Sequence, residues 1–152
     1  MKKFAIKIID EKVRESYDMP CCIGEIQIDD YKETFEMPLE YWTMDDYKRQ
    51  WKEGIERLKE YDRSCLVAEL QDPEKAPRAI LWVLYKEGDI VYIRNNLLYS
   101  KRFIKMLKKQ PFTLETCYNF THAREISDTD MPVSEWKIPL SSLYDFLNKN
   151  KI

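Results

Sequence analysis

The chain has 152 residues, of which 44% are apolar, 34% charged and 13% aromatic, and its net charge is −2. That length fits one domain, residues 1–152, able to bury about 70% of its unfolded surface. The near-neutral total implies neither a nucleic-acid nor a membrane role. The opening MKKFAIKIIDEKVRE is too interrupted by charge for a signal core or a membrane span, so the expected location is the cytoplasm.

In chain order, Phe4, Ile6 and Ile8 alternate with other residues and predict a first strand over 3–9. A charged connection, Asp10 to Asp18, leads to a second strand through Ile23, Ile26 and Ile28, with Gly24 marking a bulge or a close approach. Asp29-Asp30 makes a turn, and Tyr31 to Met37 is a third strand. The stretch TMDDYKRQWKEGIERLKEYD then reads as one long helix from Thr43 to Asp62. Thr43 suits the N-cap, Asp45 and Asp46 suit the positive end of the helix dipole, and Tyr47, Trp51, Ile55 and Leu58 share one face. Such a stripe needs a sheet to lie on.

Ser64 to Leu70 is an apolar run of strand length. Arg78 to Lys86 and Ile90 to Arg94 form a hairpin around Glu87-Gly88-Asp89, and Asn95-Asn96 breaks the pattern. Ser100 is placed to cap a short helix, Lys101 to Lys109, which Pro111 stops. Phe112 to Phe120 reads as another strand and Thr121 to Pro132 as an irregular segment. Ser134 to Leu140 is a last strand ending at Pro139, followed by a final helix capped at Ser141 or Ser142. Hairpins with few helices define the class as α+β: a mainly antiparallel, strongly twisted β-sheet with one long helix packed on it and short C-terminal helices.

Catalytic patterns are sparse. The isolated glycines Gly24, Gly54 and Gly88 give no phosphate-cradling loop. Adjacent Cys21-Cys22 matches no zinc spacing, while Cys65 and Cys117 lie in apolar runs and read as small buried hydrophobes. The one histidine, His122, reads as a loop residue, with a base for scattered carboxylates as the other reading. No cofactor or metal is implied.

Charge segregation stands out instead. From Glu15 to Asp46 there are ten acids and one base, Lys32; from Arg94 to Lys109 there are six bases and no acid. Glu125, Asp128, Asp130 and Glu135 form a second acidic stretch. The acidic segment is either a solvated sheet face or a patch that mimics nucleic-acid phosphate for a basic partner. The basic segment is either a solvated helix face or a nucleic-acid footprint near Tyr99 and Phe103.

The YKRQWKEGIERL helix, the SCLVAEL strand, the LYKEGDIVYIRNNLL hairpin and the SEWKIPLSSLYDFL ending together resemble the immunity proteins of bacterial contact-dependent growth inhibition, the CdiI group with its N-terminal CdiI domain. The resemblance implies a non-enzymatic cytoplasmic antidote. It would bind the C-terminal toxin domain of a cognate CdiA effector, a nuclease with ribonuclease favoured, as a monomer bound one-to-one, and cover the active site. It implies no direct nucleic-acid partner and no membrane. On that reading the expected toxin contacts are Glu25, Asp29, Asp30, Glu33 and Glu36, with Asp128, Asp130 and Glu135, and with Tyr31 and Trp42 as aromatic anchors.

Overall fold

The computed structural model describes residues 2–16, 18–125 and 134–150. Strands β1 (Phe4–Ser16), β2 (Met19–Ile28) and β3 (Tyr31–Pro38) form one antiparallel sheet in the order β1-β2-β3. Strands β4 (Arg63–Leu70), β5 (Ala79–Glu87), β6 (Ile90–Leu98) and β7 (Trp136–Pro139) form a second, in the order β4-β5-β6-β7 with every pairing antiparallel. The expected α+β class holds, with the hydrogen bonding divided between two sheets.

Helix α1 (Met44–Glu56) starts where the sequence places it. Asp46 N–H donates to the Thr43 hydroxyl at 3.2 Å and Thr43 N–H donates back to the Asp46 carboxylate at 2.9 Å, a reciprocal capping box. A 3-10 turn, Arg57–Lys59, finishes it. Tyr47, Trp51, Ile55 and Leu58 are all fully buried, each contributing about 1.5–3 kcal/mol of apolar burial.

The helix also seals a sheet edge. Among the described residues no strand pairs with the outer side of β4, and α1 side chains bond to its backbone instead. Gln50 donates to Cys65 O at 2.8 Å and accepts from Val67 N–H at 2.7 Å; Trp51 donates its indole N–H to Val67 O at 2.8 Å; the Tyr47 hydroxyl accepts from Leu70 N–H at 3.2 Å. An exposed edge is a template for unwanted pairing, and covering it with a helix removes the template. The approach is close enough that a Cβ on Gly54 would stand 2.4 Å from Cys65 O, so Gly54 is required there.

Four local expectations are corrected. β1 continues through the predicted connection to Ser16, with register irregularities between Ile8 and Asp10 and between Asp10 and Arg14. This arm is exposed on both faces, so it carries none of the apolar alternation that marks a half-buried strand. β6 runs through Asn95 and Asn96, which pair with Trp82 and Leu81. Phe112 to Phe120 is not a strand. Thr113 and Thr116 hydrogen-bond each other and the local backbone, a 3-10 turn follows at Cys117–Phe120, and the rings of Phe112 and Phe120 pack on Phe103. Local side-chain bonds outcompeted a ladder. Finally, the serines do not cap. Helix α2 (Ser100–Lys109) has Tyr99 at its N-cap, and α3 (Leu140–Asn150) begins at Leu140, leaving Ser142 to donate to Lys2 O at 2.6 Å.

Gly24 is the expected close approach. A Cβ there would lie 2.4 Å from the Phe35 ring, opposite the β1 irregularity.

Candidate interaction surface

The ten-acid segment does not become one acidic face. Register puts Glu25 opposite Lys7 and Thr34, and Glu36 opposite Ile23, all on the outer side of the first sheet. Lys32 shares that side opposite Gln27, so the face is mixed in sign. Glu33 is opposite the buried Ile26 and points to the other side. Strand alternation splits acids that are neighbours in sequence.

What does converge is the β2–β3 hairpin tip. Asp29 adopts a left-handed backbone (φ 58°), and its N–H donates to Lys3 O at 2.7 Å. Asp30 is exposed and Asp29 half-buried. The Tyr31 hydroxyl donates to Glu33 at 2.9 Å, and its ring packs on Trp136 of β7 with centroids 4.7 Å apart. Burial raises the Tyr31 pKa first and the Glu33 partner second, so the phenol stays a donor. Among the described residues none of Glu25, Asp29, Asp30, Glu33 or Glu36 is in an ion pair.

Two other expected contacts sit differently. Trp42 is 5% exposed and packs on Tyr47 and Phe112 at 5.4 and 5.9 Å, so it is a core side chain rather than a surface anchor. Its place between the polar Glu40 and Thr43 concealed that. Glu135 is held inside a knot of cations. It accepts from Arg94 at 2.7 Å and from two nitrogens of Arg124 at 2.8 Å each, and its side chain is only 20% exposed. The Arg124 hydrogen bonds, then the one from Arg94, hold its carboxyl down at about 2 against the cost of burial. Arg124 in turn lies 3.8 Å over the Tyr92 ring. Asp128 and Asp130 lie outside the described residues.

The knot removes Arg94 from the basic stretch. The other five bases, Lys101, Arg102, Lys105, Lys108 and Lys109, are exposed on α2. Cys117 and Cys65 are fully buried, and burial pushes the Cys65 thiol up, with its hydrogen bond to Cys117 adding to the rise. His122 is exposed and its ring nitrogen lies 3.1 Å from Ala123 O. Among the described residues no three metal-ligating side chains cluster, and no helix is long and apolar enough to cross a membrane.

Sequence reasoning passed over one further feature. A cleft of about 530 Å³ lies where the far end of the first sheet meets the β4–β5 connection. Glu36, Glu69 and Arg78 line it together with Met19, Cys21 and Ile80. Arg78 donates to Glu69 at 3.1 Å, and the Ser16 hydroxyl donates to Glu36 at 2.5 Å. Glu69 is 16% exposed, and burial raises its pKa although Arg78 opposes the rise. The signal was present: Glu69 is the one charge in the apolar run SCLVAEL.

With this geometry in place, comparison with known proteins gives three matches. The family described as CdiI N-terminal domain matches residues 37–146. The curated protein "Immunity protein CdiI" from Enterobacter cloacae subsp. cloacae is 35% identical over 125 residues, 81% of this chain and 82% of that one. A chain of the solved "CdiA-CT/CdiI toxin and immunity complex from Enterobacter cloacae" aligns with TM-score 0.78 and 31% identity, over 95% of this chain and 96% of that one.

Proposed function

Because the chain belongs to the CdiI immunity-protein family, we propose that it binds and neutralises the C-terminal toxin domain of a cognate CdiA effector. The toxin on this reading is a nuclease, with ribonuclease favoured, and the immunity protein covers its active site in the cytoplasm without catalysing anything itself. The observation that carries the binding is the likeness, over nearly the whole chain, to a chain of a toxin-and-immunity complex. The nuclease reading draws its support from the hairpin tip, whose carboxylates form no ion pair among the described residues and so stay available to a basic active site.

The contacts we propose at that tip are Asp29, Asp30 and Glu33, with Tyr31 on its Trp136 platform as the aromatic anchor. Glu25 and Glu36 extend the contact along the outer sheet face. Long-range attraction acts on encounter rate more than on lifetime. Reversal of both turn charges, Asp29→Lys with Asp30→Lys, is therefore expected to slow association with the toxin domain about tenfold or more at low salt and to flatten its salt dependence. Stopped-flow or surface-plasmon kinetics read this directly, and an unaltered association rate removes the tip from the interface. A toxin domain that co-purifies with the protein yet leaves RNA and DNA intact when released would remove the nuclease reading.

A further inference from the structure

The cleft beside Glu69 has an amphipathic lining. Its lining includes the apolar or weakly polar Met19, Cys21 and Ile80 together with two carboxylates, Glu36 and Glu69, and one guanidinium, Arg78. Two carboxylates alone would not define a site. The combination does more, because a long side chain with a hydrocarbon stem and a cationic head matches both parts at once. The volume of about 530 Å³ falls within the roughly 300–1,000 Å³ of pockets that enclose small ligands, which is ample for one such side chain.

The charges argue for the sign of the occupant. Glu69 is mostly withdrawn from water at 16% exposure, whereas Arg78, its only ion-pair partner among the described residues, is 43% exposed. A cation that remains in water is screened, so it compensates a desolvated carboxylate only in part. Burial accordingly outweighs Arg78 in setting the Glu69 pKa. Glu36 is exposed, and its carboxylate is oriented by the Ser16 hydroxyl rather than by a cation. An anion entering here would meet two like charges, and a purely apolar group would strip water from both carboxylates without replacing it.

We infer that this cleft is a socket for one arginine or lysine side chain of the toxin domain, with its stem on Met19, Cys21 and Ile80 and its head between Glu36 and Glu69. The inference rests on the reading that the chain binds a CdiA toxin domain. It adds Glu69, a residue remote from the hairpin tip, as a determinant of which toxin is accepted. A guanidinium or ammonium seated there would be shielded from salt, so the socket acts on complex lifetime, in contrast to the steering expected of Asp29 and Asp30.

The test uses the full-length protein and the C-terminal toxin domain encoded beside it. Glu69→Gln keeps the shape of the cleft and removes the buried charge; Glu36→Gln does the same at the exposed carboxylate and guards against an effect on folding at position 69. Each is expected to speed dissociation roughly tenfold to a hundredfold, with the difference from wild type persisting in 0.5 M salt, while thermal melting of the free protein is unchanged or slightly raised. Arginine-to-alanine and lysine-to-alanine variants of the toxin are then paired with Glu69→Gln in double-mutant cycles, and one toxin residue is expected to couple by fivefold or more. Wild-type dissociation rates in both glutamine variants would overturn the socket while leaving toxin binding intact. So would faster dissociation with no coupling to any toxin cation, because the effect would then be indirect. Wild-type protein that does not bind the toxin domain would overturn the functional reading itself.

Discussion

Glu135 and Glu69 are two mostly buried carboxylates, each beside arginine, and their acidities move in opposite directions. Glu135 is gripped by Arg94 and Arg124, themselves only 12% and 18% exposed, and its carboxyl falls to about 2. Glu69 has one arginine, 43% exposed, and burial raises it. The difference teaches that burial alone does not decide whether an acid is available to a partner. At Glu69 burial outweighs the lowering by Arg78; at Glu135 the hydrogen bonds from Arg124 and Arg94 outweigh burial. Glu135 is held by two arginines, whereas Glu69 has one arginine and the Glu36 backbone against its burial.

The comparison can be broken most severely at the knot. Glu135→Ala leaves two poorly hydrated guanidinium groups facing each other, and the expected loss is about 2–3 kcal/mol of unfolding free energy in urea denaturation. A loss below about 0.5 kcal/mol would mean the knot is decorative. Acid titration sharpens the same point. The folded pKa of Glu135 is depressed, so the unfolded chain binds its proton first as pH falls. Stability from this group is complete above the ordinary carboxylate value and is lost as pH drops from about 4.5 towards about 2. A Glu135→Gln variant should show a visibly shallower acid limb in stability measured across that window. Glu69 runs the other way: its raised pKa means that stability from that group declines as pH rises through the ordinary carboxylate range.

The smallest effect is expected at Arg78. Because that side chain is well exposed, Arg78→Ala should cost about 1 kcal/mol or less, yet it should drive the Glu69 pKa further up. Side-chain NMR titration of Glu69 in the two proteins reads the shift. A Glu69 pKa that does not move would show that Arg78 contributes nothing to holding its charge.

Much of this fold was legible in the sequence, for reasons that differ by element. Thr43, Asp46 and the Tyr47–Trp51–Ile55–Leu58 stripe announced α1, because cap and period act within one helix and need no knowledge of the partner. SCLVAEL and RAILWVLYK announced β4 and β5 by composition. Phe112 to Phe120 misled because its aromatic content serves a ring cluster with Phe103 rather than a ladder. The surface was less legible. Glu25 and Glu33 sit eight positions apart and face opposite ways, and Glu135 lies in an acidic stretch but meets Arg94 only through tertiary pairing of β6 with β7. A linear count of charge gives no access to either fact. The residues that the cleft brings together, Glu36 and Glu69, come from different sheets and share no sequence signal beyond one anomalous glutamate.

The helix that closes the β4 margin has a further consequence. Gln50, Trp51 and Tyr47 take the place of a neighbouring strand, so α1 cannot lift away without baring the Val67 and Leu70 amides. Helix and sheet must therefore come apart together, and the barrier to partial opening protects a strand that would otherwise recruit copies of itself. At this margin the chain therefore offers no bare backbone to a second copy of itself.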